Sequence, residues 1–153
     1  MGLQGESEEE VISFHSKERW MRKRKEIEAW NRHEKVVRKP KTTVPFLHDE
    51  VDEELFPALF LLNDAGVHTQ HSCAGVSLLD DPIHHSLYAY VTILDSKKGR
   101  DLIADLQRRM RHRLLVTYEP KRKRYDLSSF YIKHNRSFCF LLYQYAMCWK
   151  KHP

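Results

Sequence analysis

Nothing in the 153-residue chain approaches a run of about 18 apolar residues, the length a helix needs to cross a bilayer, and this excludes a helical membrane span. Cysteine is scarce. Cys73, Cys139 and Cys148 are odd in number and have no CxxC spacing, so neither a disulfide framework nor a paired-thiol motif is expected. The first residues lack the basic-then-apolar form of a signal peptide. Met1 and Gly2 are followed by Ser7, not by the hydroxyl at position six that myristoylation requires. A cytoplasmic protein is the expectation. No GxGxxG or GxxxxGKS/T pattern is present, which leaves a nucleotide phosphate loop unsupported. Helix-turn-helix and RNP aromatic signatures, internal repeats and low-complexity tracts are also missing.

What is present is charge, unevenly placed. The net charge of +5 hides two basic blocks around an acidic centre. Residues 17–41 carry eleven Lys/Arg against four Glu, and residues 97–124 carry eleven against three acids, whereas residues 49–81 are acidic. Blocks of this kind favour polyanions, with RNA or DNA foremost. The cations singled out are Arg22, Lys23, Arg24 and Lys25 in the first block, and Arg108, Arg109, Arg111 and Arg113 in the second. Lys121, Arg122, Lys123 and Arg124 crowd one hairpin turn, where four like charges repel unless an anion approaches. Trp20, Trp30, Tyr118 and Tyr125 lie near enough in sequence to offer stacking planes.

Hydrophobic periodicity places the elements. Ser7 followed by Glu10 has the form of a capping box, and no proline or glycine interrupts the chain from there to Val37, so a long N-terminal helix is expected. Residues 39–48, with Pro40 and Pro45, read as an extended linker. Asp49 or Asp52 is expected to cap a second helix bearing Leu55, Leu59 and Leu62, stopped by Gly66. Strands follow over 67–72 and 87–94. A helix with the stripe Leu102, Ile103, Leu106 and Met110 comes next, then strands over 114–118 and 125–133, then a helix over 138–149. The expected organisation is a charged helix over 1–38, a linker over 39–48 and an α+β domain over 49–153. That domain would be two-layered, with one mixed or antiparallel sheet of about four strands and helices on one face.

The segment 67–75 (Val-His-Thr-Gln-His-Ser-Cys-Ala-Gly) gathers reactive groups where a strand runs into a glycine turn. Strand alternation puts His71 and Cys73 on one face, the pairing a thiol nucleophile and its general base would need. His71, Cys73, His84 and His85 supply the nitrogen and thiolate ligands that zinc prefers. Thr69, Ser72 and Gly75 outline a pocket, and a glycine with positive φ can turn backbone N–H groups toward an anion.

Asn63, Thr69, Ser72, Cys73 and Gly75 form a helix-ending Asn followed by Thr-x-x-Ser-Cys-x-Gly. This is similar to the wybutosine-synthesis methyltransferase family, which carries Thr-(x)-Ser-Ser-Cys-Ser-Gly-Arg. The likeness covers residues 63–75 only. Ala74 stands in place of the second serine and Val76 in place of the arginine. The resemblance implies a transfer-RNA-modifying enzyme using S-adenosylmethionine. Three readings therefore stand together: an RNA-binding protein, an enzyme or zinc protein centred on Cys73, and an interaction protein. The last would oligomerise by docking its first helix through Trp20, Ile27 and Trp30.

Overall fold

Alternating β-branched and aromatic residues pair as strands, and the leucine-rich stripes pack on them as helices. The computed structural model describes residues 9–34, 36–38, 41–76, 80–82 and 86–151. In chain order its first elements are β1 (Glu10–Val11), α1 (Lys17–Arg32), β2 (Val36–Arg38), β3 (Thr43–Phe46), β4 (Asp49–Asp52) and α2 (Phe56–Asp64). They are followed by β5 (Thr69–Cys73), β6 (Asp80–Pro82), β7 (Tyr90–Leu94) and α3 (Lys97–Met110). The last are β8 (Leu114–Glu119), β9 (Arg124–Ser129) and α4 (Asn135–Lys151). Five strands form one antiparallel sheet in the order β1-β8-β9-β7-β5, β3 and β4 make a separate hairpin, and β2 pairs in parallel with β6.

The fold is α+β, with five strands in the main sheet where about four were expected. The addition is β1, whose Glu10 and Val11 pair with Tyr118 and Thr117. That pairing also corrects the first helix. It does not run from Ser7, which lies outside the described residues, to Val37. It spans 16 residues, and Ser16 is its N-cap, accepting the Arg19 N–H at 3.2 Å. Ahead of the cap, Ile12 donates its N–H to the Val116 carbonyl, so the β-branched pair Val11-Ile12 is used by the sheet. Behind it, His33 is already extended.

Neither Asp49 nor Asp52 is the N-cap of α2, which is Leu55. Both lie in β4, opposite Phe46 and Thr43, so residues 43–46 form a strand within the stretch read as linker. Helix α2 starts at Phe56, with Pro57 in its first turn, where a missing N–H leaves no helical bond unmade. The last strand ends at Ser129, short of residue 133. Phe130 is fully buried there, and the chain tightens into a 3₁₀ turn, Ile132–His134.

One core joins the layers. Leu55, Leu59 and Leu62 of α2, Leu102 and Leu106 of α3, and Phe138 and Leu142 of α4 pack with Val91, Ile93, Val116 and Leu127 of the sheet. Among the described residues no helix is long and apolar enough to cross a membrane.

Candidate nucleic-acid interface

Helix α1 has no buried residue, so side-chain anchors hold it in place. The Lys23 ammonium donates to the Phe130 carbonyl at 2.6 Å and lies 3.6 Å from the centre of the Tyr88 ring. Burial lowers its pKa to about 8. One turn later, the Glu26 carboxylate accepts the Ile132 and Lys133 N–H groups at 2.7 and 3.0 Å, closing the free N-terminal end of the 3₁₀ turn. Trp20 packs edge-on against His15 and Phe130, and the His15 ring stacks on Phe130 at 4.1 Å. The inward side of α1 thus rests on its own chain.

Between this helix, the Arg111–Arg113 turn and the Tyr131–His134 segment lies a cleft of about 800 Å³. That size falls within the roughly 300–1,000 Å³ of ordinary ligand sites. Arg19, Arg22, Glu26 and Trp30 reach it from one stripe of α1, since their spacings of three and four keep them on one helical face, and His33 and Glu34 line it from just past the helix end. Arg113, Lys133, His112, His134 and Tyr131 line the other wall. Three of the four strong cations come from the two separate basic blocks, Arg19 and Arg22 from the first and Arg113 from the second. Among the described residues none of Arg19, Arg22, Arg113 and Lys133 forms an ion pair with a carboxylate; Arg113 donates to the Ser137 hydroxyl at 3.2 Å. Glu26 is committed to its two N–H donors. Four strong cations against the carboxylates of Glu26 and Glu34 leave the cleft net positive, with the Trp30 indole beside its charges.

Of the other cations named from sequence, most are engaged elsewhere. Lys23 is an anchor and points away from any ligand. Arg24 and Lys25 are exposed and do not line the cleft. Arg108 and Arg109 share the Asp105 carboxylate at 2.8 and 3.0 Å. The hairpin turn carries a counter-ion of its own. Glu119 takes Arg124 at 2.9 Å and Arg122 at 3.8 Å, so the anion these charges call for is already in the chain. Lys121 and Lys123 are exposed at the same tip. That tip lies at the far end of the six-residue β8 from Arg113, about 17 Å away at strand rise. Arg111 lies beside the cleft, on a second groove.

Sequence reasoning passed over Arg19, His112, Lys133 and His134 as site residues. The spacing of Arg19 from Arg22, Trp30 and His33 carried a usable signal. The turn residues carried none while 125–133 read as strand.

The cysteine turn is knitted to the protein itself. A bulge between Thr69 and Ser72 breaks the strand alternation, leaving His71 exposed and Cys73 only 8% exposed. The Cys73 sulfur accepts the Gly75 and Ser86 N–H groups, both at 3.4 Å, and His71 makes no bond to it. The Ala74 N–H goes to the Asp52 carboxylate at 2.7 Å, so the anion held at this turn belongs to the chain. Asn63 bonds to the Thr69 hydroxyl and N–H, which ties the end of α2 to β5. Thr69 and Ser72 line a small cavity of about 190 Å³ that Gly75 does not reach. Gly75 has φ +78°, and a Cβ there would meet the Ala89 nitrogen at 2.5 Å, so protein fills that side of the turn. His84 and His85 lie outside the described residues. Among those described, no three His, Cys, Asp or Glu side chains are gathered to hold a metal.

His15 and His134 are both held neutral, with pKa values lowered to about 4. Burial is the main cause. Arg19 and Lys23 add to it at His15, and Arg113 and Lys133 at His134. Both values lie below the unfolded reference of about 6.5, so the unfolded chain takes up protons first as pH falls. Stability is therefore expected to hold above pH 6.5 and to decline between about 6.5 and 4. Urea midpoints at pH 7 and pH 4.5 check this, and equal midpoints would contradict it.

No family model, curated protein or solved structure matches the chain.

Proposed function

We propose that this protein binds RNA, with the cleft between α1 and the Tyr131–His134 segment as the site. The observation that carries the reading is the convergence of Arg19, Arg22, Arg113 and Lys133, none paired with a carboxylate among the described residues, around Trp30 and Tyr131. Four cations set against two carboxylates, Glu26 and Glu34, leave an excess of positive charge, which a phosphate backbone neutralises while releasing its own counter-ions. Aromatic and guanidinium planes beside them suit unstacked bases, which RNA offers in loops and ends. The resemblance at residues 63–75 adds transfer RNA to the probes worth using, and an RNA-modifying reaction remains a proposal that no cleft residue is assigned to carry.

The experiment is a titration of the full chain with labelled RNA, transfer RNA and DNA at low and physiological salt. Binding at low salt that weakens steeply with added salt is expected. Absence of binding at low salt, or binding indifferent to salt, overturns the reading.

A further inference from the structure

The cleft does not end at Arg113. His112 and Arg113 are also the wall of an adjoining groove of about 460 Å³, lined further by Arg109, Arg111, Phe140 and Tyr145. Its character repeats that of the cleft. Phe140 is 61% exposed, and the Arg109 guanidinium lies 5.4 Å from the centre of the Tyr145 ring. The two spaces share His112 and Arg113 in their lining, so they adjoin on the surface.

Arg111 stands at the entrance to that second groove in a costly backbone conformation. Its φ of 50° and ψ of −124° are those of the first central residue of a type II′ turn, a position that favours glycine. A side chain there is strained, and such strain gathers at binding sites. The chain turns at this point because α3 must end for β8 to begin at Leu114. Glycine would serve that turn better, yet an exposed arginine occupies it.

We propose that the cleft and this groove form one continuous track for a single-stranded nucleic acid several nucleotides long, with Arg111 contacting the backbone as it leaves the cleft. This rests on the RNA-binding reading and deepens it. A positively charged groove with successive aromatic planes is what sequence-tolerant single-strand binding requires. A duplex keeps its bases stacked inside and offers nothing to Trp30 or Phe140.

The test measures fluorescence anisotropy with labelled oligonucleotides, from a dinucleotide to an octanucleotide, and with a duplex of equal length. The octanucleotide is expected to bind at least about tenfold more tightly than the dinucleotide, and more tightly than the duplex. Arg111→Gly is expected to weaken octanucleotide binding about three- to tenfold and dinucleotide binding less than about twofold. It is also expected to raise the urea midpoint, because it relieves the backbone. Phe140→Ala provides a second readout, with the same selective loss for the longer strand. Equal affinity for all lengths, a duplex preference, or equal losses for short and long strands would overturn the track. Should Arg19→Ala and Arg22→Ala weaken both lengths while Arg111→Gly and Phe140→Ala weaken neither, the cleft stands and the track falls. Should none of the four variants change binding, the RNA reading itself fails.

Discussion

Replacing Arg22 and Arg113 together by alanine is expected to lower RNA affinity on the order of a hundredfold. A hydrogen bond to a charged partner contributes roughly 1.5–3 kcal/mol, so each arginine accounts for about tenfold or more. Arg22 is exposed on α1 and lines the cleft, so its loss should leave folding intact. Arg113 gives up a bond to Ser137, a modest change at a half-buried site. Alanine at Lys121 and Arg122 is the matched control. The same number of charges disappears, at the far end of β8 and beside Glu119, and affinity should fall less than about twofold. Binding assays on the two double variants decide it. A larger loss from the hairpin pair would move the site away from the cleft.

Replacing Asn135 by alanine is expected to produce the largest loss of stability. Its side chain sits at the start of α4 and closes the cysteine turn from below. The amide oxygen accepts the Ala89 N–H at 2.9 Å, while the amide nitrogen donates to the Val76 and Leu87 carbonyls at 2.7 and 2.9 Å. All three partners are backbone groups around a residue only 4% exposed. Alanine leaves the Ala89 N–H and the Val76 carbonyl without this partner, at about 1–3 kcal/mol each, and the Leu87 carbonyl with only the Val76 N–H at 3.4 Å, so a net loss of roughly 3–5 kcal/mol follows. A domain of this size has about 5–15 kcal/mol in total, and the variant should unfold at far lower urea. Gly75→Ala attacks the same junction from the other side, since its Cβ would press on the Ala89 and Tyr88 backbones at 2.5 and 2.8 Å. Denaturation curves for both variants provide the check. A loss below about 1 kcal/mol for Asn135→Ala would mean that the turn is not held in this way.

The layout that carries these groups was readable where a segment was long and strongly patterned. The leucine stripes of α2 and α3, the β-branched run that becomes β7, and the apolar segment of α4 all follow from periodicity. Short or cross-braced pieces were not readable. Two residues of β1 have no pattern of their own and become a strand only because β8 offers an open edge. The β3–β4 hairpin turns through Leu47 at φ 58°, without the Asn-Gly or Asp-Gly signal that would mark it. Its acidic strand looked like a helix start for that reason.

The candidate site shows the same division. Counting charge singled out two blocks, and Arg22 and Arg113 from them line one cleft. Counting could not tell which cations are already neutralised, because Glu119 and Asp105 exert their effect through folded geometry. The crowded Lys121–Arg124 turn looked the most exposed to an anion, yet Glu119 already holds Arg122 and Arg124 there. The Thr-x-x-Ser-Cys-x-Gly segment looked like chemistry, yet its polar atoms bond to Asp52, Asn63 and one another. Local sequence cannot distinguish a turn that offers its N–H groups to a ligand from one that spends them within the fold.

The slope of log affinity against log salt for single-stranded RNA reports most directly on the four cleft cations. Each phosphate neutralised on a single strand contributes about 0.7 to that slope, so a value near −3 is expected for the unaltered protein. Removing Arg22 and Arg113 should bring it to about −1.5. A slope near zero, or one unchanged by their removal, would mean that the phosphate backbone binds elsewhere or not at all.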